Sequence, residues 1–198
     1  MKKEIGKGKE YNFNGQLIFS IEKNGKGVDY YDNGILEFKG EYMNRKKWNG
    51  KGYDENGNII YELINGNGNV KEYDDEGKLE FEGEYLKGER WNGKGKEYYD
   101  NGKLKFEGEY KYDQRNGKGK EYYDNGILKF EGEYLNGERN GKGKKYYDNG
   151  KLKFEGEYLN GQRNGKGKEY NYNGILKFEG EYLNGKRNVR GKEYNLYG

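Results

Sequence analysis

Cysteine, histidine, proline and threonine are absent from this chain of 198 residues, and Ser20 is its only serine. Each absence removes a class of chemistry. Without cysteine there are no disulfides and no thiolate metal sites. Without histidine or cysteine, catalytic triads, thiol nucleophiles and histidine metal centres are excluded, leaving carboxylates, lysine and tyrosine as the reactive inventory. The lack of proline is compatible with every strand donating to a ladder on both sides. Aliphatic residues are sparse as well. Only 30% of residues are hydrophobic with tyrosine counted, and 23 Tyr and 8 Phe make up most of that share, so no thick aliphatic core can form. After Met1, Lys2 and Lys3 there is no apolar stretch resembling a signal peptide, and no run approaches membrane-spanning length. As it stands the sequence reads as soluble and cytoplasmic, or as secreted or surface-bound if a leader has been removed.

Charge is what the chain has in abundance. Charged residues make up 37%, with 38 Lys and Arg against 35 Asp and Glu for a net +3. The signs are interleaved, and no basic block of the length needed to track a phosphate backbone occurs, which argues against nucleic acid as a partner. High charge with low hydrophobicity is the mark of a disordered chain, but such chains are poor in aromatics and this one is 17% aromatic. The chain reads as folded.

Periodicity decides the fold class. Phe81, Phe106, Phe130, Phe154 and Phe178 are each followed by Glu-Gly-Glu-Tyr, at spacings of 25, 24, 24 and 24 residues. A related copy starts at Phe38, with Lys39 in place of the first Glu, and shorter copies are anchored at Phe19 and Tyr61. These eight anchors make residues 1–198 a single repeat domain. The unit from Phe130 carries an Asn-Gly pair at Asn136-Gly137 and is preceded by another at Asn125-Gly126, with strand-like alternation between them, and Asn-Gly favours the two-residue hairpin turn with both residues at positive φ. Recurrent glycine and an apolar period of two exclude helix. The expected fold is all-β: a single-layered, curved antiparallel meander of tandem β-hairpins, an elongated ribbon of about sixteen strands.

Two-residue turns at both pairs set a register. Phe130 is expected opposite Gly143 and Glu121, Glu131 opposite Lys142 and Lys120, and Gly132 between Gly141 and Gly119. Alternation then places Leu128, Phe130, Gly132 and Tyr134 on one face with Tyr123 and the glycines. Lys118, Lys120, Lys129, Glu131, Glu133 and Lys142 fall on the other, with one tyrosine per unit such as Tyr122 or Tyr146. Glycine weakens a strand unless an aromatic neighbour covers it, so Phe over Gly is the pairing the sequence favours.

Phe-Glu-Gly-Glu-Tyr, Leu-Asn-Gly, Arg-Asn-Gly-Lys-Gly and Tyr-Tyr, recurring in phase over nearly the whole chain, closely resemble the MORN repeat. The extra Asn-Gly-Lys-Leu-Lys segment is similar to the bacterial MORN-variant subfamily, some members of which carry an antitoxin label. The resemblance implies a hairpin rod that scaffolds proteins or touches membranes. The sequence departs from the pattern at Trp48 and Trp91, inserted before Asn-Gly, and at Val70 and Val189, which replace or displace glycines.

Candidate sites are few. Glu131 and Glu133 have the residue types of an acid/base pair, but equivalents recur in every full copy with lysine partners, where a catalytic pair is expected once. The turns at Asp74, Asp100, Asp124 and Asp148 offer one or two carboxylates where calcium takes six to eight oxygens. Gly-Lys-Gly-Lys lacks phosphate-loop spacing and a following helix. No metal or cofactor is implied. An aromatic face containing Tyr110, Tyr123, Tyr134, Tyr147, Tyr158 and Tyr182 is the candidate partner-binding surface, able to hold a peptide, a strand or a glycan by stacking. Choline- or glucan-binding repeats share the hairpin size and tyrosine content but need more tryptophan than Trp48 and Trp91 supply. Unpaired strands at Gly6–Tyr11 and Gly191–Tyr197 invite self-association through the terminal edges. The expected function is a non-enzymatic scaffold for protein–protein interaction, antitoxin-like in its narrowest form; the alternative is a surface or membrane-associated module for lipid or glycan.

Overall fold

The computed structural model describes residues 8–22 and 25–194. Gly6, Lys7 and Tyr197, which belong to the expected terminal edges, lie outside the described residues, as do Met1, Lys2 and Lys3. The chain divides into two compact units, Met1–Lys94 and Gly95–Gly198. The first holds β1 (Gly8–Tyr11), β2 (Leu17–Ile21), β3 (Lys26–Tyr30), β4 (Leu36–Met43), β5 (Lys46–Tyr53), β6 (Ile59–Leu63), β7 (Gly68–Tyr73), β8 (Leu79–Leu86) and the start of β9 (Glu89–Tyr98). The second continues with β10 (Leu104–Lys111), β11 (Gln114–Tyr122), β12 (Leu128–Leu135), β13 (Glu138–Tyr146), β14 (Leu152–Leu159), β15 (Gln162–Tyr170), β16 (Leu176–Leu183) and β17 (Lys186–Glu193).

Strands β1 to β6 form one antiparallel sheet and β7 to β17 another, each strand bonded to its sequence neighbours. The all-β meander of tandem hairpins expected from the sequence is what forms, without closure into a barrel and divided into two sheets between β6 and β7.

In the second unit the turns explain the register. Asn136 and Gly137 both have positive φ, 50° and 87°, as do Asn160/Gly161 and Asn184/Gly185, which is the two-residue turn expected. Each turn is tied to the preceding repeat, with Gly137 N donating to Arg115 O, Gly161 N to Arg139 O and Gly185 N to Arg163 O, all at 2.9 Å. Asn125-Gly126 is different. Only Gly126 has positive φ; its N–H donates to Tyr123 O at 2.8 Å, and Tyr123 N donates to Ile127 O at 2.8 Å. That is a three-residue loop, a type I turn closed by a left-handed glycine, held by Asn125 Oδ1, which accepts from Ile127 N.

The expected pairing of Phe130 with Glu121, Glu131 with Lys120 and Gly132 with Gly119 forms, because a second irregularity at Tyr122 offsets the longer loop. On the other side the register is corrected by two residues. Phe130 lies opposite Lys145 and not Gly143, Glu131 opposite Lys144 and not Lys142, and Gly132 opposite Gly143 and not Gly141. The cause is a bulge between Arg139 and Gly143, where Gly141 takes φ +87°. A shift of two keeps each side chain of those pairs on its face, so the two-faced arrangement survives that correction. Lys129, expected on the charged face, is instead the extra residue between the Tyr122–Leu128 and Glu121–Phe130 pairs and lies on the aromatic side, 4.0 Å from Glu121 and over the Tyr123 ring.

The core of this unit is one buried row. Phe106, Phe130 and Phe154 are fully buried. The Phe130 ring covers two glycines: a Cβ on Gly143 would stand 2.5 Å from its Cζ, and one on Gly132 would stand 2.8 Å from it.

The first unit follows the same plan less regularly. Trp48 is a single extra residue between the Tyr42–Lys47 and Glu41–Asn49 pairs, so the copy containing it has a one-residue bulge where Gly141 marks a longer one. Val70 pairs with Gly83 at the place where Gly119 pairs with Gly132, and it is buried. At the break between the sheets, an isolated bridge joins Ile64 to Asn67.

Candidate interaction surface

The aromatic face of the second unit is a file of interlocked rings. Tyr134 meets Phe130 at 5.6 Å and Phe106 at 5.3 Å between ring centres, and Tyr158 meets Phe154 at 5.4 Å and Phe130 at 5.3 Å. Tyr110 closes on Phe106, and Tyr182 joins Phe154 and Phe178. The rings cross at 83–88°, which sets the positive edge of one against the negative face of the next. Tyr134, Tyr158 and Tyr182 thus each lock two successive repeats together.

Of the six tyrosines singled out, the structure brings Tyr110, Tyr134, Tyr158 and Tyr182 together in this file, where they are 3–9% exposed. Tyr123 and Tyr147 stand apart, half-buried, with hydroxyls donating to Tyr146 O at 2.8 Å and Tyr170 O at 2.9 Å. Lys129 and Lys153 lie over their rings at 5.6 and 4.8 Å.

Beneath the file lies a feature the composition of the face does not announce. The Glu121 carboxylate accepts from the Tyr134 hydroxyl at 2.6 Å and from Arg139 Nε and Nη2 at 2.9 and 2.6 Å, while the Arg139 guanidinium sits 4.2 Å from the Phe130 ring centre. Burial alone would raise the Glu121 carboxyl, but the hydrogen bonds from Arg139 and Tyr134 hold it below the ordinary carboxylate range. Burial, together with the bond to that carboxylate, pushes the Tyr134 hydroxyl well above 10. The same triad recurs as Glu97–Tyr110–Arg115, Glu72–Tyr85–Arg90 and Glu169–Tyr182–Arg187. Tyrosine always follows the carboxylate by 13 residues and arginine by 18, a spacing visible in the sequence once these residues are aligned with the phenylalanines.

The opposite face is a ladder of charges. Glu131 lies between Lys120 and Lys144 and accepts from the Tyr146 hydroxyl at 2.7 Å; Glu107 and Glu155 accept likewise from Tyr122 and Tyr170. The repetition leaves no pair of carboxylates set apart from the rest. In the turns, Asp74 Oδ1 accepts from the backbone N–H groups of Glu76 and Lys78, so its carboxylate organises the loop. At the hairpin tips of this face the structure exposes a row that reading the sequence missed. Leu135, Leu159 and Leu183 are 48%, 49% and 59% exposed, each immediately before an Asn-Gly turn. The signal was a leucine at a fixed place in each repeat, on the charged side of an alternating strand.

The MORN-repeat model matches residues 106–127, 154–175 and 178–194, and the MORN-repeat-variant model matches 23–44, 66–87, 91–112 and 139–160. The chain belongs to the MORN-repeat family. MORN repeats are commonly interaction repeats for proteins or membranes, and the proteins built from them are generally non-enzymatic scaffolds. No curated protein matches the chain. Among solved structures it is similar to those described as the crystal structures of TcdB2-TccC3-TEV (13% identity, 94% of this chain, TM-score 0.30) and TcdB2-TccC3-Cdc42 (11%, 91%, 0.22). A third, TcdB2-TccC3 without the hypervariable C-terminal region, is similar at 11% identity over 89% of this chain, with a TM-score of 0.23. The MORN array corresponds to 12–14% of the length of those chains.

Proposed function

We propose that this chain acts as one array of about eight MORN repeats that scaffolds a protein partner, and that the partner is held on the charged face along the leucine row. The observation that carries the reading is the half-exposure of Leu135, Leu159 and Leu183 at a constant 24-residue spacing. Two strands per repeat place successive leucines about 10 Å apart, and an exposed apolar row rimmed by charges is the composition of an interface centre with its polar rim. The ring file is filled by its own side chains, so Tyr134 and its equivalents serve the scaffold by holding neighbouring repeats in line. Tyr123 and Tyr147 are the members of the aromatic set with surface left for a partner. The antitoxin-like role implied by the resemblance to the bacterial variant subfamily is the narrowest form of this proposal, with a protein toxin as the partner.

The test is a capture experiment with the full chain as bait against the triple variant Leu135→Ser, Leu159→Ser, Leu183→Ser, both confirmed as β-structured by circular dichroism. Loss of a stoichiometric protein from the variant supports the leucine row. Equal capture by both sends the interaction to another surface, for which Tyr123→Ala with Tyr147→Ala is the next variant. Flotation of the chain with anionic vesicles, abolished by the triple variant, would replace the protein partner with a membrane.

A further inference from the structure

Three of the four repeats in the second unit that have the tyrosine and the arginine of the triad also have its carboxylate, at Glu97, Glu121 and Glu169. In the fourth, the position 13 residues before Tyr158 and 18 before Arg163 is Lys145. The register confirms the equivalence: Lys145 faces Phe154 as Glu121 faces Phe130.

The consequences extend through the site. The buried Tyr158 hydroxyl reaches no carboxylate among the described residues and has the Arg163 guanidinium near it, whereas those of Tyr110, Tyr134 and Tyr182 donate to carboxylates. Arg163 stacks on Phe154 at 4.4 Å, as Arg139 does on Phe130, but its Nη1 turns to Glu169 at 3.2 Å. Glu169 already accepts from Tyr182 and Arg187, so one carboxylate serves two guanidinium groups. Lys145 itself has no hydrogen bond or ion pair among the described residues. Its ammonium is disfavoured first by burial and then by Arg139, Lys153, Arg163 and Lys129, which bring its pKa down to about 8. Lys145, Lys153 and Arg163 are all half-buried and within reach of solvent. This is an excess of positive charge in one repeat of an otherwise balanced array, at a place the neighbouring repeats fill with a carboxylate.

We propose that Lys145, Lys153 and Arg163 form a binding site for a carboxylate supplied from outside this chain. The neighbouring repeats define the chemistry. An arginine guanidinium beside an aromatic ring receives a carboxylate in each of them, with Lys129 alongside at 4.0 Å in the case of Glu121, and charge-assisted pairing of this kind is the stronger class of hydrogen bond. The carboxylate comes either from a free small acid or from an aspartate or glutamate on an acidic segment. The site goes beyond the scaffold reading and does not depend on the leucine row, which lies on the other face.

The experiment is NMR titration of the guanidinium Nε–H signals in the full chain. Sodium acetate is one probe and a heptaglutamate peptide the other, each against sodium chloride at matched ionic strength. Arg163 is expected to shift and saturate while Arg139, whose fork already holds Glu121, stays in place. In Lys145→Glu, which rebuilds the arrangement of the neighbouring repeats and is expected to fold, the affinity falls about tenfold or more. Saturation by acetate assigns the site to a free carboxylate, and saturation by the peptide alone assigns it to an acidic segment; either supports the proposal. No saturating shift with either probe, equal shifts at Arg139 and Arg163, or unchanged affinity in Lys145→Glu would overturn it.

Discussion

The two units vary one repeat in different ways. In the first, changes come in matched sets: Asp29 and Lys47 stand where the second unit has Glu121 and Arg139, and Lys47 Nζ reaches Asp29 at 3.4 Å and Glu37 at 2.6 Å. In the second unit the copies are nearly identical, and the change of sign beneath the rings, Lys145, has no matching change at Arg163. The difference teaches that the repeat tolerates new residues under its ring file as long as charge is answered by charge. The same holds for volume. Where Val70 replaces a glycine, Tyr85 meets Phe81 at 6.4 Å and 54°, away from the near-perpendicular contact at 5.6 Å between Tyr134 and Phe130. Strand β7, which carries Val70, is also where the second sheet begins.

The largest expected effect comes from breaking the ring file. Phe130→Ala removes a fully buried ring that holds two tyrosines and covers two glycines, and should cost about 3–5 kcal/mol in urea unfolding. Phe19→Ala in the first unit, where the ring is only half-buried, should cost clearly less. Arg139→Ala leaves Glu121 and the Tyr134 hydroxyl without their cation and should cost about 2–3 kcal/mol. Gly143→Val, which places a side chain against the Phe130 ring, should cost about 1–3 kcal/mol by overpacking. Val70→Gly should also destabilise, because that site has already been packed around the larger residue. If Gly143→Val were neutral, the contrast drawn from Val70 would fail.

Much of this fold was legible in the sequence for a physical reason: Asn136-Gly137 has one favourable hairpin geometry, and a period of two leaves each side chain only two faces. Register was legible on one side of each strand and not on the other. The left-handed bulge at Gly141 looks, in sequence, like any other Asn-Gly, and only its position inside a strand makes it a bulge. The three-residue loop at Asn125 was equally hidden, and its effect was masked by the compensating irregularity at Tyr122. The half-buried carboxylates escaped notice because glutamate occurs on both faces, and only the register separates Glu121 under the rings from Glu131 on the ladder. Exposure of the leucine row depends on nothing packing over the turn ends, which alternation does not encode.

The smallest expected effect concerns pH. The depressed pKa of Lys145 means that its protonated form costs stability in the folded state. That cost is fully present below about 8 and is relieved as pH rises from there toward 10.5, because the folded chain gives up the proton before the unfolded one. Measured as the difference between the original chain and Lys145→Gln, which cancels the tyrosine titrations common to both, stability of the original chain should gain on the variant across that window. A flat difference would mean that the lysine is well solvated.

The central claim is that a carboxylate beneath the rings completes each repeat that has the tyrosine and the arginine of the triad. Its most direct test is a pair of reciprocal substitutions, Glu121→Lys and Lys145→Glu, followed by urea denaturation at neutral pH in chloride buffer. The expected result is opposite signs: Glu121→Lys destabilises by about 2 kcal/mol or more, and Lys145→Glu stabilises by about 1 kcal/mol as Tyr158 and Arg163 gain their acceptor. Destabilisation by both substitutions, or no change at Lys145→Glu, would contradict the account.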